Sequence, residues 1–311
     1  MLNRRHLRVK VLQSLYAFFQ SGNTNLSAGE KELLFGIEKI YDLYLYQLNL
    51  IIEVRNQAIK IIEENKLKRI PTPEDLKPNT RFIDNPCLLD MAGHSELLRR
   101  IDQRKTYWNQ DMEIPRKIFL QFRETNHYKD YMTKQQVTFD DHRDILLRLL
   151  RNHICEFELL HHFYEEKSIY WLDDWELINK MIIKNIKALS CNNEEGFQPM
   201  ELYKDPEDRK FAIELFHKTI LNDKEFAPLI AAKTQNWDIE RIALMDIIIM
   251  KMALTEIIKF PEIPVKVSLN EYIELSKMYS TPKSKIFVNG VLDKLVDELV
   301  ENKTISKFTE R

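Results

Sequence analysis

The stretch that decides the fold runs from Ile239 to Leu299 and reads IERIALMDIIIMKMALTEIIKFPEIPVKVSLNEYIELSKMYSTPKSKIFVNGVLDKLVDEL. It holds the densest apolar sequence of the chain. Three prolines divide it into segments, because proline cannot donate the helical hydrogen bond and disfavours helix in the residue before it. These prolines are Pro261, Pro264 and Pro282. The pattern predicts helices over residues 239–259, 267–279 and 283–301, the first of them buried.

Composition extends this helical interpretation to the whole chain. The 311 residues are 44% hydrophobic and 30% charged, which is typical of a folded globular protein with one large or two ordinary domains. Only 6 glycines are present. So few glycines cannot supply the turns of a many-stranded sheet, and helical periods recur, so an all-α fold is expected.

Charge, cysteines and hydropathy limit the class of protein. A formal net charge of −2 excludes a protein that is basic throughout but leaves room for a local nucleic-acid surface. Three scattered cysteines, at 87, 155 and 191, favour neither a disulfide framework nor a zinc site. No apolar run is long enough to predict a membrane span, and polar residues interrupt the N-terminal apolar segment, unlike in a signal peptide. We therefore expect a cytoplasmic protein.

An amphipathic helix is predicted at residues 4–21, with an apolar stripe formed by Leu7, Val11, Leu15 and Phe18. Arg4 and Arg8 fall on the same side as this stripe at 100° per residue. A guanidinium facing a core is unfavourable, so we expect the first turns to project beyond the body and to leave the arginines free for a partner. The alternative is a frayed, solvated helix end.

A longer helix is predicted at residues 27–69, beginning with a Ser27-x-x-Glu30 capping box. A helix of that length is a rod of roughly 60 Å, which must either break or pack against another long helix. Residues 71–95 read as a proline-rich loop, and residues 191–208 as a linker. Asp205 and Pro206 are predicted to start a helix. Further helical patterns cover residues 95–109, 114–126, 134–166, 169–190, 206–222 and 223–234.

No pattern in the chain predicts catalysis. Glu158-x-x-His161 matches one half of a di-iron helix pair, but a second such motif is missing, so a polar helix surface explains it better. Cys155 lacks zinc-type spacing to the nearby histidines. The chain also lacks a glycine-rich phosphate loop, a nucleophile elbow and a dinucleotide fingerprint. We expect no enzyme activity, no metal and no cofactor.

Two features of the opening stretch suggest binding. Asp246 lies in the most apolar helix, where a carboxylate needs either a buried base or a docked partner, and the buried base is the simpler expectation. Thr281-Pro282 is expected to begin the last helix, with Lys283, Lys285 and Phe287 in its first two turns. Cations and a ring near a helix N-terminus suit single-stranded nucleic acid, although Phe287 could equally belong to the core.

The same stretch resembles a known family. IPVKVSLNEYIELSKMYSTPKSKIFVNGVLDKL, preceded by ERIALMDIIIMKMALTEI and by the N-terminal RRHLRVKVLQSLYAF, is similar to the NusB transcription antitermination proteins. In that family the pattern reads much like PVKVAINEAIELAK followed by FVNGVLDK. The resemblance covers about residues 1–22 and 206–303. It implies an all-helical fold of two small packed bundles, here with a helical insertion at 23–205 and a tail at 304–311.

The resemblance also implies a function. Proteins of this family bind the boxA element of ribosomal RNA transcripts together with NusE, a ribosomal protein, in a complex that prevents RNA polymerase from terminating. It implies RNA contacts from an N-terminal arm and from the start of the last helix, and a partner surface. The implied RNA-binding residues are Arg4, Arg5, Arg8, Tyr16, Lys283, Lys285 and Phe287, and the implied partner-binding residues are Tyr16 and Asp246.

The chain departs from the family pattern in two places. Lys283-Ser284-Lys285-Ile286 replaces Asp-Ser-His-Lys, so basic charge is kept but shifted by a residue. The segment of about 180 residues between Gly22 and Pro206 is one that compact members lack or replace with a short helix. The alternative function is therefore a protein-interaction scaffold that has lost RNA binding. A fused methyltransferase is disfavoured because no cofactor-binding domain is evident, and a homodimer that hides the RNA surface is compatible with the resemblance.

Overall fold

All regular structure in the described part of the chain is helical. The computed structural model describes residues 1–191, 196–234, 242–281 and 283–305. These residues form fifteen α-helices and no strand, which confirms the expected all-α fold. The helices are α1 Arg4–Gln20, α2 Leu26–Lys66, α3 Pro73–Leu76, α4 Pro86–Gly93, α5 Ser95–Arg104, α6 Glu113–Arg123, α7 Asn126–Thr133, α8 Phe139–Leu149, α9 Glu158–Lys167, α10 Trp175–Lys187, α11 Pro206–Leu221, α12 Asp223–Lys233, α13 Leu244–Lys259, α14 Val265–Tyr279 and α15 Ser284–Glu301.

The chain divides into two units. The first combines residues 1–37 with residues 202–311, and the second contains residues 38–201. The N-terminal segment is joined to the C-terminal half of the first unit by a backbone hydrogen bond from the Leu2 amide to the Leu202 carbonyl, at 2.8 Å. The assignment of residues 23–205 as an insertion stays a prediction.

Helix α13 is the centre of the first unit. It packs against α1, α11, α12, α14 and α15. Its apolar side chains are therefore covered on every side, and Ile248, Ile249, Met250, Met252 and Leu254 are all fully buried. An all-round apolar helix must lie inside a protein, which is why this stretch organises the helices around it.

Some helix starts in this unit differ from the sequence prediction, and one agrees with it. The described part of the first predicted helix begins at Leu244, and residues 235–241 lie outside the described residues. Helix α14 begins at Val265, directly after Pro264, two residues before the predicted start. Asp205 and Pro206 start α11 as predicted, with the Asp205 side chain accepting from the Glu207 amide.

The start of α2 also differs from the prediction. The helix begins at Leu26, and the Asn25 side chain accepts a hydrogen bond from the Ala28 amide at 3.1 Å. Asn25 is therefore the capping residue, and the predicted Ser27-x-x-Glu30 capping box is wrong. Glu30 instead lies 2.8 Å from Nε2 of His217.

Helix α2 is the long helix that the sequence predicts, with 41 residues and a length of about 60 Å. It neither breaks nor pairs with a second long helix. Every residue from 40 to 52 is buried, because shorter segments of the second unit surround this part of α2. Its buried polar groups find partners there: Gln47 donates to Asn179 and Asn49 donates to the Thr106 carbonyl, each at 2.9 Å.

Other helices of the second unit are shorter than predicted. The pattern at residues 134–166 is interrupted by a π-helical turn at Leu150–Ile154 and resumes at Glu158. The predicted loop at residues 71–95 contains α3 and α4, each of which begins with a proline at its first position. Hydrophobic periodicity detects the apolar face but not these local changes in helical pitch.

Candidate nucleic-acid interface

The N-terminal arginines of α1 lie among acidic side chains of the first unit. Arg8 is 4% exposed and donates two hydrogen bonds to Glu256, from Nε to Oε2 at 2.8 Å and from Nη2 to Oε1 at 2.7 Å. Glu256 is fully buried and also accepts from the hydroxyls of Ser268 and Tyr272. Burial acts to lower the pKa of Arg8, but the hydrogen bonds to Glu256 hold it above its ordinary value.

The expected projection of the first turns is therefore wrong for Arg8. The argument that a guanidinium facing the core is unfavourable assumed that no carboxylate would meet it there. Glu256 of α13 supplies that carboxylate, so Arg8 can point inward. The buried guanidinium ties α1 to α13 and is not presented to RNA, contrary to the expected contact.

The other two arginines remain partly accessible. Arg5 has a side chain that is 57% exposed and donates to both oxygens of Glu271, at 2.9 and 2.6 Å. The hydrogen bond with Glu271 raises the pKa of Arg5, and the same contact lowers the pKa of Glu271. Arg4 lies 3.5 Å from Asp208, with its guanidinium carbon 5.0 Å from the centre of the Phe211 ring. Both guanidinium groups keep a solvent-facing edge.

The start of α15 presents the predicted lysines. Lys283 and Lys285 are exposed, the Ile286 side chain is 76% exposed, and Phe287 is half-buried. The helix begins at Ser284, so the predicted start at Thr281-Pro282 is early by two residues, and Pro282 lies outside the described residues. The Ser284 hydroxyl is instead held by hydroxyls of Ser280 and Thr281, at 2.8 and 2.9 Å.

Charges from the arginine arm and from the start of α15 both affect a glutamate of α14. The pKa of Glu274 is lowered, first by its hydrogen bond with Lys277, although burial opposes the shift, and by smaller contributions from the charges of Arg5 and Lys285. Arg5 and Lys285 therefore lie near the same helix. Tyr16 of α1 is 38% exposed. Cationic residues from the two ends of the sequence thus lie near glutamates of the same helix.

A pocket of about 500 Å³ lies beside the start of α15. It brings together Asp246, Lys283 and Phe287, which the sequence analysis singled out separately. Gly290 and Lys294, from the next turns of α15, also line it. Outside the neighbouring residues and backbone of its own helix, no described atom lies within 4 Å of the position that a Cβ at Gly290 would occupy. The glycine is thus not explained by a close backbone approach, and it leaves open space in the pocket wall.

Asp246 is the unusual group of this pocket. The residue is 3% exposed, and its Oδ1 has no hydrogen-bond partner among the described residues. The expectation that Asp246 pairs with a buried base is therefore wrong for the part of the chain that the structure describes. Its position in the first turn of α13, near the positive end of the helix dipole, helps to tolerate the charge.

Sequence reasoning missed the acidic partners of the arginines. Glu256 and Glu271 are carried by α13 and α14, and Asp208 by α11. The signal for Glu256 was an acidic residue in the most apolar helix, the same signal that drew attention to Asp246. The sequence could not show which of the two carboxylates would receive the arginine.

Other candidate chemistry has structural explanations. His161, from the di-iron half-motif, makes a hydrogen bond through Nε2 to the Cys155 carbonyl at 2.9 Å. No group of three or more potential metal ligands occurs in residues 1–191, 196–234, 242–281 and 283–305. Over the same residues, no helix combines the length and the apolar character required to cross a membrane.

Comparisons with known proteins point to one family. The NusB family model matches residues 167–297. Curated relatives named transcription antitermination protein NusB include one from Salinibacter ruber, 43% identical over 106 residues that cover 34% of this chain and 66% of the relative. One from Chloroherpeton thalassium is 34% identical over 113 residues, which cover 36% of this chain and 54% of the relative. One from Koribacter versatilis is 40% identical over 93 residues, which cover 30% of this chain and 64% of the relative. No solved structure matches the chain significantly.

These matches cover only part of each protein. The chain spans between about half and two thirds of the length of these relatives. The family model begins at residue 167, within the second unit, and does not include α1. It includes α13, α14 and most of α15, which carry the buried carboxylates, the lysines and the pocket. The chain therefore contains a NusB family domain at residues 167–297, with additional helical sequence before it.

Proposed function

We propose that this protein is a non-catalytic transcription antitermination factor that binds boxA-like single-stranded RNA together with the ribosomal protein NusE. The shared name of its relatives supports the antitermination role. The observation that carries the RNA assignment is the group of Lys283, Lys285 and Phe287 at the start of α15, beside a pocket. Such a surface offers cations to phosphates and a ring to bases.

The N-terminal arm would extend this surface. Arg4 and Arg5 keep exposed edges while their carboxylate partners hold them in place. A phosphate could share these guanidinium groups, because each has five N–H donors. Arg8 has a different role in this proposal: its bond to Glu256 fixes the direction of α1 and thereby positions the other two arginines.

The protein partner would bind near α1. Tyr16 is exposed on this helix and is our candidate contact for NusE, in an assembly that includes RNA polymerase. Asp246 is buried, so a contact with NusE would need a side chain that enters the pocket. A free-state homodimer that covers the RNA surface is compatible with this arrangement and would dissociate when RNA binds.

Fluorescence anisotropy with labelled boxA RNA tests the proposal. The full chain should bind the RNA more tightly when NusE is added, and the affinity should fall with salt because binding to phosphates releases counterions. The K283E/K285E variant should bind at least about tenfold more weakly. Its logarithmic salt slope should fall by about 0.7 for each phosphate that the variant no longer neutralises.

A matched control distinguishes a specific effect of the lysines at the start of α15 from a general effect of the net charge on RNA affinity. Lys184 and Lys187 of α10 are exposed lysines of the second unit, and K184E/K187E makes the same change in total charge. Its RNA affinity should stay within about twofold of the parent chain. An equal loss in both variants, or no RNA binding with and without NusE, would overturn the assignment. NusE binding without RNA binding would favour a protein-interaction scaffold instead.

A further inference from the structure

We propose that the pocket beside α15 holds one guanine base of the bound strand, with the Asp246 carboxylate accepting hydrogen bonds from the base. This inference rests on the proposed RNA binding and adds to it a preferred base. It follows from three features of the first unit: a buried carboxylate without a partner, cations at the pocket, and open space next to an aromatic ring.

The carboxylate requires a donor. Asp246 is 3% exposed and its Oδ1 has no hydrogen-bond partner among the described residues. Buried polar groups in folded proteins are nearly always hydrogen-bonded, and an orphan carboxylate is more unfavourable than an orphan neutral group. The helix dipole of α13 offsets only part of the unfavourable free energy of burying this carboxylate, because it supplies no directed hydrogen-bond donor beyond the amides of the first turn. The hydrogen-bond donor for Asp246 would therefore come from a ligand in the pocket that Asp246 lines.

The charges around the pocket indicate what kind of ligand this is. Lys283 and Lys294 line the pocket and are exposed, and neither forms an ion pair within the described residues. A third lysine, Lys233, lies 2.5 Å from Glu298. A cationic peptide side chain would satisfy Asp246 but would meet these lysines with like charge. A nucleotide carries N–H donors at one end and an anionic phosphate at the other. It can therefore donate to the Asp246 carboxylate and also attract the lysines.

The chemistry of the bases selects guanine. A carboxylate accepts and cannot donate when ionised, so it favours a base edge with two adjacent donors. Guanine has this edge, formed by its N1–H and its exocyclic amine. Adenine and cytosine place an acceptor beside their amine, and the single N–H of uracil lies between two carbonyl oxygens. Each of these would direct an acceptor at Asp246.

The space in the pocket suits a base that leaves its stack. The volume of about 500 Å³ exceeds what a nucleobase needs and leaves room for part of the ribose. Phe287 offers a ring for stacking, and Gly290, one turn further along the same face of α15, leaves that part of the pocket wall without a side chain. Sequence-specific RNA recognition usually targets unstacked bases that stack on an aromatic ring and form hydrogen bonds along one edge.

Base substitution in a short RNA tests the inference. The full chain would be titrated with an eleven-nucleotide oligouridylate that carries one central guanine, adenine or xanthine, with anisotropy as the readout. We expect the guanine RNA to bind roughly tenfold more tightly than the adenine RNA, the size of discrimination that one bidentate base contact gives.

The D246N variant supplies the decisive exchange. An asparagine offers one acceptor and one donor, which match the N1–H and the neighbouring carbonyl of xanthine. We expect D246N to lose the guanine preference and to favour xanthine, while D293N, which changes an exposed carboxylate of α15, keeps the preference of the parent chain. Circular dichroism would confirm that D246N remains folded.

The outcomes separate this inference from the proposed function. If the parent chain binds the three RNAs equally, or D246N keeps the guanine preference, the guanine pocket is wrong while RNA binding stands. If none of these RNAs nor boxA RNA binds, with NusE present, the proposed function itself fails. Tighter binding of an arginine-containing peptide than of the guanine RNA, abolished in D246N, would assign the pocket to a protein side chain instead.

Discussion

The guanidinium of Arg8 and the carboxylate of Glu256 form a doubly hydrogen-bonded ion pair inside the first unit, at 2.7 and 2.8 Å, although the two residues are 248 positions apart in sequence. Glu256 receives two further hydrogen bonds, from Ser268 and Tyr272. An ion pair this well satisfied is stable where an isolated charge would not be. It joins the N-terminal helix to the central helix of the NusB-like domain.

Removing one partner of this pair should destabilise the fold strongly. Arg8→Met leaves the buried Glu256 carboxylate without its cation, and we expect the free energy of unfolding to fall by about 3–5 kcal/mol. Urea unfolding followed by circular dichroism measures this change. In the R8M/E256L double variant part of the loss should be recovered, because no charge is left buried, while the Ser268 and Tyr272 hydroxyls lose their acceptor. Arg5→Met, at a pair whose guanidinium is 57% exposed, should change stability by at most about 1 kcal/mol.

The exposed pair of Arg5 and Glu271 should make stability depend on acid pH. The hydrogen bond from Arg5 lowers the pKa of Glu271 from its ordinary value of 4.5, despite an opposing effect of burial. The unfolded chain then binds more protons, so the stabilisation is complete above about pH 4.5 and is lost as the pH falls through the folded pKa.

Comparing the parent chain with E271Q over pH 3–6 would isolate this contribution. The stability difference between the two proteins should shrink as the pH falls below 4.5. A difference that stays constant across this range would contradict the assigned pKa direction. E274Q provides a comparison on the same helix, since Glu274 accepts its hydrogen bond from Lys277 and not from Arg5.

Phe287 should contribute to RNA affinity by stacking. Phe287→Ala should weaken boxA RNA binding by about 1–3 kcal/mol, whereas Phe287→Tyr should keep most of the affinity because it keeps the ring. Anisotropy titrations give the affinities, and thermal unfolding gives the stabilities. If F287A and F287Y lose affinity equally while both remain folded, the ring does not stack on a base and belongs to the core.

Gly290 should show opposite effects on stability and on binding. Gly290→Ala places a Cβ in open space within a helix, so we expect stability to rise by up to about 1 kcal/mol. The same Cβ reduces the space beside the base, so the preference for the guanine RNA should decrease. Thermal unfolding and RNA titration of one preparation measure both effects. A variant that gains stability and keeps full guanine preference would show that the base does not approach this wall.

Tyr44 links α2 to the C-terminal part of the second unit. Its hydroxyl donates to Asn185 at 2.7 Å and accepts from the Met200 amide at 3.0 Å. Tyr44→Phe removes the partner of the buried Asn185 oxygen and of the half-buried Met200 amide, so stability should fall by about 1–3 kcal/mol. Proteolysis with trypsin would report the loss as faster cleavage. The control Tyr107→Phe removes an exposed hydroxyl that donates to Asp102, and should have little effect.

Local patterns in the sequence were sufficient for much of the helical structure. The apolar stretch around Met250 predicted the buried central helix, and Asp205-Pro206 predicted the start of α11. Both signals act within a few residues, through side-chain burial on one helix and through capping of its first turn. The predicted helix at residues 134–166 failed because its apolar face continues through the π-helical turn.

The candidate site was only partly accessible from the sequence. The sequence predicts the lysines and Phe287 at the start of α15 as binding residues, since cations and a ring near a helix N-terminus suit single-stranded nucleic acid. Whether Arg8 faces solvent or the core could not be decided, because the answer depends on a carboxylate from a distant helix. The same uncertainty made Asp246 look like a paired residue.

By itself, the sequence determined that the chain is helical and which helix is innermost, because these follow from periodicity, capping and composition. Only the tertiary structure decided the partners of the buried charges. A buried carboxylate and a buried guanidinium are equally unfavourable alone, and their pairing depends on which helices meet. Glu256 meets Arg8, while Asp246, on the same helix, meets an open pocket.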